Sequence, residues 1–428
     1  MSERIVIAGA GLAGLRAAER LRELNFDGEV VVVGAEPDIA YHRPALSKQL
    51  LTGAVSRAET QLVDPLDVDV EWRLDTPVVK LSPGRQVIHL RDEELVYDGL
   101  IIATGVEPRR TPGAPHGHPR VVVVRTLGDT IALQRALASN PGAVAVVGDG
   151  FIGCEVASSL REMGREVVLI GRSRALLTDV LGPDIGDWLT ALHTARGVRL
   201  ELGTTVRRWR PSPSQVGIEF TDGRAIDVAC VVVAVGSVPA VSWLRGAKLP
   251  LDDGVVCGPT CHVVGSETIV AAGDVARWPN LRFEETPQRV EHWLNAVEMS
   301  RAAAENLLTG SQGAVPFSPV PRFWSEQHGV RIQVAGRPML GTDTVLLESP
   351  IPGTRPITGF VSGGRLIGLV GLDSPAAVLH WTAELARQHP APPLGGTETT
   401  DVPAQAPADP HRRRRGAHRE RSSAVAGY

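Results

Sequence analysis

The chain opens on a short apolar run, RIVIAGAG, which ends in glycines. LAGLRAAERLREL follows with apolar residues at helical spacing, and GEVVVVGAE then supplies a second apolar run. Unbroken Val/Ile runs suit strands buried on both faces, so this segment predicts strand, tight turn, helix and parallel strand. The same order of patterns returns in GAVAVVGDGFIGCEVASSLREMGREVVLIGRS. Two such units, roughly 140 residues apart, predict two nucleotide-binding domains rather than a short-period repeat. Between them DGLIIATGVEPRR reads as a strand end and a sharp turn, and VACVVVAVGSVPA repeats that pattern after the second unit. From Pro321 the pattern changes to shorter β segments, including VRIQVAGRP and RLIGLVGLD, and then a helix, AAVLHWTAELARQ.

The expected fold class is therefore α/β: two Rossmann-like dinucleotide-binding domains plus a C-terminal α+β domain. The first domain is expected to be discontinuous, over 1–110 and 241–320, with the second over 111–240 and the α+β interface domain over 321–390. The Pro-, Thr- and Ala-rich tail, 391–428, is expected to be disordered.

Composition narrows the function classes. At roughly 100–200 residues per domain, 428 residues accommodate two to four domains. A net charge of −4 argues against a protein built to coat nucleic acid. Of 44 basic residues only Lys48, Lys80 and Lys248 are lysine, as in a chain from a GC-rich genome. A lysine inside a motif therefore stands out. The four cysteines, Cys154, Cys230, Cys257 and Cys261, form no CxxC and are too few for a disulfide framework. Cys257 and Cys261, with no zinc-spaced His/Cys pair beside them, read as packing residues, and no metal site is expected. MSERIVIAGAG resembles neither a signal nor a transit peptide, and no apolar run reaches the ~18–20 residues of a membrane span. A cytoplasmic protein, monomeric or weakly dimeric, without nucleic-acid or membrane partners, is expected.

The glycine motifs carry the first chemistry. Gly9, Gly11 and Gly14 follow a strand and open a helix, where the first permits the turn, the second admits a pyrophosphate and the third packs helix on strand. Free N–H groups and the dipole at the helix start favour the phosphates. Glu36, at the end of the second strand, is placed to accept hydrogen bonds from ribose hydroxyls. Gly148, Gly150 and Gly153 repeat the motif. There Gly171 stands where a carboxylate is expected, followed by Arg172 and Arg174, which points towards NADPH or tolerance of it.

GAGLAGLRAAE, YHRPALSK, IIATG, GDGFIGCEVA, IVAAGDVA, RVEHWLNAVEMSRAAAENLL and VPRFWSEQHG, in this order, resemble the FAD-dependent ferredoxin reductases, with a glutathione-reductase-like fold. These are the reductase components of bacterial haem monooxygenase and ring-hydroxylating dioxygenase systems. The likeness covers about residues 1–385. The chain lacks both the paired cysteines of disulfide reductases and the single redox cysteine of NADH peroxidases and coenzyme A disulfide reductases, so electrons must leave the flavin directly.

The resemblance implies that the first glycine motif and Glu36 hold the ADP half of FAD, with Arg43 and Lys48 beside the flavin. There a cation would stabilise the negative charge of a reduced flavin. Thr104, Gly105 and Arg109, with Val78 and Gly236, are implied cofactor contacts. Asp274, after Gly273, is implied to bind the ribityl chain, and His292 and Trp293 to lie near the flavin ring. Trp324 would lie near the isoalloxazine edge, where ferredoxin docks; Glu326 stands where many relatives have Asp. Phe151, Ile152 and Glu155 would flank the nicotinamide, Glu155 binding its carboxamide.

The implied enzyme is an NAD(P)H-dependent ferredoxin reductase, passing hydride from NADPH or NADH to FAD and then single electrons to an iron–sulfur ferredoxin. No protein acid, base or nucleophile is required, so no catalytic residue is named. The basic docking face would be made of arginine. Alternatives are a rubredoxin reductase or NAD(P)H oxidase of the same fold, or an interaction flavoprotein like apoptosis-inducing factor, whose only support here is Arg412–Arg415.

Overall fold

The structure is a computed structural model that describes residues 3–350 and 356–391. All of the expected disordered tail after residue 391, Arg412–Arg415 included, lies outside the described residues.

The first apolar run forms the strand Arg4–Ala8 at the centre of a five-stranded parallel sheet. Glu29–Val33 and then Glu71–Arg73 lie on one side, Gly99–Ile102 and Ile269–Ala271 on the other. Every residue of Val30–Val33 is buried, as expected of a strand covered on both faces. The helix Leu12–Glu23 covers one face, presenting Leu15, Ala18 and Leu21 to the core.

The second sheet repeats this order. Val144–Val147 is central, with Val167–Ile170 and Val198–Glu201 on one side and Cys230–Val233 and Val121–Val122 on the other, all parallel. The helix Phe151–Glu162 stands where Leu12–Glu23 stands in the first. The chain crosses between the sheets through a two-stranded antiparallel ribbon, Val106–Pro108 against Ser237–Pro239.

The C-terminal segment forms an antiparallel five-stranded sheet: Arg322–Gln327, Val330–Gly336, Arg365–Leu372, Ile357–Ser362 and Asp343–Leu347, in that spatial order. The helix Pro375–Gln388 packs Ala377, Val378 and Leu385 on one face. The other face contributes Ile332, Val334, Phe360 and Val370 to the core of the second sheet. That shared core brings the Arg322–Gln327 strand against the helix Phe151–Glu162. The fold class is the expected one.

Candidate functional site

Both glycine turns are shaped by close approach. A Cβ on Gly9 would lie 2.2 Å from the Ala103 carbonyl oxygen, and one on Gly14 would lie 1.8 Å from that of Gly9. In the second unit the corresponding distances are 2.1 Å, Gly148 to Ala234, and 1.9 Å, Gly153 to Gly148. The middle glycines are different: nothing lies within 4 Å of a Cβ on Gly150, and Gly11 meets only Arg43 Nη2, at 3.7 Å. Each helix begins without a side-chain cap and without an acid in its first turn. The nearby helix Leu127–Ser139, by contrast, is closed by a capping box of Thr126 and Asp129. Two uncapped helix starts behind open glycines are suited to two dinucleotide pyrophosphates.

Glu36 and Arg43 meet. Arg43 Nη2 donates to Glu36 Oε1 at 2.5 Å, Nη1 donates to the Tyr41 hydroxyl at 2.7 Å, and that hydroxyl donates to Glu36 Oε2 at 2.6 Å. Arg43 is thus drawn to the Gly11 turn and the strand-end acid rather than to Lys48. Gly273 packs against the same helix start, where its Cβ would lie 3.0 Å from that of Ala13. The adjoining Asp274 accepts from Arg125 Nη2 at 3.3 Å. Burial raises the Asp274 carboxyl pKa, with Arg125 opposing the rise and Glu291 adding to it. Val78 is half-buried against the first core. The Thr104 hydroxyl donates to the Ala240 carbonyl at 2.9 Å. Gly105 accepts through its carbonyl from Ala240 N–H at 3.0 Å, which ties the first sharp turn to the second. Arg109 is exposed and bound to that second turn, its N–H to the Gly236 carbonyl and its guanidinium to that of Ser237, both at 2.9 Å.

Lys48 finds Glu155. The ammonium donates to Oε2 at 2.7 Å, and both side chains are nearly enclosed, 11% and 5% exposed. Ser47 Oγ donates to the same oxygen at 2.6 Å and Ser325 Oγ to Oε1 at 2.7 Å. One buried carboxylate therefore joins YHRPALSK, the second glycine-motif helix and FWSEQ. The helix holds both neighbours: Ser159 Oγ donates to the Ser47 carbonyl, and His328 N–H donates to Ser158 Oγ, each at 2.7 Å. Glu155, Ser158 and Ser159 stand three and four residues apart, on one face.

Along Arg322–Gln327 alternate residues face opposite ways. Phe323 meets Phe151 edge-on and His292 at a tilt, at centroid separations of 5.1 and 4.3 Å, while Ser325 and Gln327 turn to the same side. Trp324 takes the other face, with Arg331 5.6 Å over its ring. His292 stands at the N-cap position of the helix starting at Trp293 without a side-chain cap, and Trp293 meets His42 edge-on at 4.9 Å. Ile152 is 45% exposed beside open Gly150. Arg172 and Arg174 are exposed.

Gly171 corrects one expectation. Gly9 N–H donates to the Val33 carbonyl, and Gly148 N–H to that of Ile170. In this register Gly171 answers to Gly34, and the residue answering to Glu36 is Ser173.

The sequence reading did not single out Ser47, Ser325, Phe323 or the line behind Ser325. Gln327 Nε2 donates to Ser325 Oγ at 3.1 Å, its Oε1 lies 3.0 Å from His193 Nε2, and His193 Nδ1 lies 3.1 Å from His328 Nε2. The polar face Glu155-Ser158-Ser159, set among the apolar residues of the buried part of the helix, was the one available signal.

All four cysteines are buried, at most 2% exposed. Burial pushes the Cys230 thiol up to about 11 and Cys257 up to about 12, and raises Cys154 and Cys261 as well. No thiolate is prepared among them.

Burial lowers the pKa of His42, His193, His262, His292 and His328, the last two furthest, and so makes stability pH-dependent. Burial, with Arg337, pushes His292 down to about 4 from 6.5, and burial with His193, Arg196 and Arg161 pushes His328 down to about 4. Below the unfolded value the unfolded chain binds protons that the folded chain refuses. Stability is expected to fall as pH drops from about 6.5 towards about 4. Urea midpoints at pH 7 and 5 measure this, and His328→Asn should flatten the dependence; an unchanged slope would remove His328 from the explanation.

Comparison with known proteins gives matches along the described fold. Residues 3–300 match the family described as pyridine nucleotide-disulphide oxidoreductase, and residues 322–394 match the domain described as reductase C-terminal. The chain is 32% identical to rhodocoxin reductase of Rhodococcus erythropolis over 402 residues, 92% of each chain. It is 31% identical to the benzene 1,2-dioxygenase system ferredoxin–NAD(+) reductase subunit of Pseudomonas putida over 380 residues, 88% of this chain and 90% of that one. Among solved structures, the covalent putidaredoxin reductase–putidaredoxin complex matches with a TM-score of 0.83 at 26% identity, covering 90% of this chain and 93% of that one. Among the described residues, no helix is long and apolar enough to cross a membrane.

Proposed function

The chain belongs to the pyridine nucleotide-disulphide oxidoreductase family, and we propose that it is the FAD-dependent reductase of an oxygenase system, taking hydride from a nicotinamide nucleotide and passing single electrons to a ferredoxin. One observation carries this reading: the buried Lys48–Glu155 pair, which joins the flavin-side motif, the nicotinamide-side helix and the FWSEQ strand, where the one cysteine, Cys154, is fully buried with its thiol pKa raised by burial. Bound FAD supplies the redox chemistry. The relatives named above are ferredoxin-type reductases, and they do not favour the rubredoxin, oxidase or apoptosis-inducing-factor alternatives.

The residues divide the remaining work. The helix starts behind Gly11 and Gly150 take the pyrophosphates of FAD and of the nicotinamide nucleotide. Glu36, oriented by Arg43 and Tyr41, keeps lone pairs for ribose hydroxyls. Asp274 takes a sugar-like hydroxyl of the cofactor. Phe151, Ile152 and Glu155 position the nicotinamide, and Lys48 holds a positive charge where negative charge accumulates. Trp324, under Arg331, lies on the face offered to the ferredoxin. We place the protein in the cytoplasm, with the domain boundaries expected above.

The test is cytochrome c reduction by the purified yellow protein with NADH and a [2Fe–2S] ferredoxin. Ferredoxin is expected to stimulate it at least about tenfold at low salt, with the stimulation falling steeply once the Debye length drops below ~8 Å. A rate indifferent to ferredoxin overturns the reading.

A further inference from the structure

The two nucleotide folds keep their acids in different places. Their registers agree: Gly34 N–H donates to the Arg73 carbonyl at 2.9 Å, and Gly171 N–H donates to that of Glu201 at 3.0 Å. In the first fold the turn holds Ala10, and a Cβ on Gly34 would lie 2.5 Å from its methyl. In the second the turn holds Asp149, and a Cβ on Gly171 would lie 2.5 Å from Asp149 Cβ and 2.6 Å from its Oδ2. The first fold thus has alanine on the turn and Glu36 at the strand end. The second has Asp149 on the turn and Ser173 at the strand end. The carboxylate has moved across the crevice, into space that only a glycine at 171 leaves open.

Asp149 is also fixed. Its Oδ2 accepts from Ser173 N–H at 2.9 Å, leaving Oδ1 and further lone pairs unspent. We propose that Asp149 is the specificity-determining residue for the nicotinamide nucleotide: its carboxylate takes the role of the strand-end acid, receives the adenosine ribose hydroxyls and repels a 2′-phosphate, so the reductant is NADH. This rests on the reductase reading above. It also ranks Asp149 above Arg172 and Arg174: both guanidinium groups are exposed, where water and salt weaken their attraction to a phosphate, whereas Asp149 is half-buried and held.

Asp149→Asn separates charge from architecture, because the amide oxygen still accepts from Ser173 N–H. Two readouts on the holoprotein are compared: kcat/KM for NADH and NADPH with ferricyanide, and calorimetric affinities of the oxidised flavoprotein for ADP and 2′,5′-ADP. The wild type is expected to prefer NADH and ADP, and Asp149→Asn to lower both preferences at least about tenfold, the effect of one like charge removed from beside a phosphate. Asp149→Ser, short and neutral, should do the same if the asparagine folds poorly. Preferences within twofold of wild type in the neutral variants, or a wild type that prefers NADPH and 2′,5′-ADP, overturn the proposal. If neither nucleotide reduces the flavin, the reductase reading fails, while the ADP comparison still reports on Asp149.

Discussion

Lys48→Met is expected to destabilise the protein by about 3–5 kcal/mol, the usual consequence of stranding one partner of a buried ion pair. Methionine keeps most of the aliphatic stem, so the loss is chiefly one of charge. Glu155, 4% exposed, would retain two hydroxyl donors, from Ser47 and Ser325, but no cation. Hydroxyls solvate an anion without neutralising it. Adding Glu155→Gln should recover most of the loss, because the double variant buries no charge. Urea unfolding of the two variants at pH 8 measures the loss and its recovery. A Lys48→Met protein within about 1 kcal/mol of wild type at pH 8 would show the pair to be inessential to the fold.

Gly14→Ala is expected to give insoluble or colourless protein, whereas Gly11→Ala should fold and lose only its hold on FAD. The two glycines are three residues apart in one motif but meet different surroundings. A methyl on Gly14 would sit 1.8 Å from the Gly9 carbonyl oxygen, so the helix has to leave the strand. That displacement costs more than the ~4–5 kcal/mol reached only by exceptional single substitutions. A methyl on Gly11 meets nothing nearer than the Arg43 guanidinium at 3.7 Å and intrudes only where a pyrophosphate would lie. Thermal unfolding and the flavin-to-protein absorbance ratio distinguish them. Gly14→Ala with a wild-type melting temperature and full flavin would contradict the packing geometry.

Much of the fold was legible because its signals are local. Val30–Val33 and Val144–Val147 are unbroken apolar runs, and each glycine motif sits within a few residues of the strand it turns from. The site was legible only in part. Lys48 stood out through its rarity and Glu155 through its motif, yet nothing local announced that they meet across 107 residues, or that Ser325 closes on Glu155 across 170. Ser47, Ser158, Gln327 and His193 are common polar residues whose worth depends on which segments the C-terminal sheet brings together. Arg43 and Lys48 share a motif, yet nothing local announced that their side chains would part, Arg43 to the Glu36 carboxylate and Lys48 to Glu155. Gly171 was misread for a different reason: counting along the chain finds the strand end, whereas the hydrogen-bond register identifies which residue answers to Glu36.

The buried cysteines have a practical meaning beyond the absence of a thiol relay. A thiol enclosed in the core cannot be alkylated while the molecule is closed, so each modification of Cys154, Cys230, Cys257 or Cys261 marks an opening of the segment around it. Cys154 lies in the second glycine-motif helix and Cys230 in the sheet beside it, while Cys257 and Cys261 belong to the core of the first sheet. The chain thus carries clocks in both nucleotide folds, able to time the breathing of each without an added label.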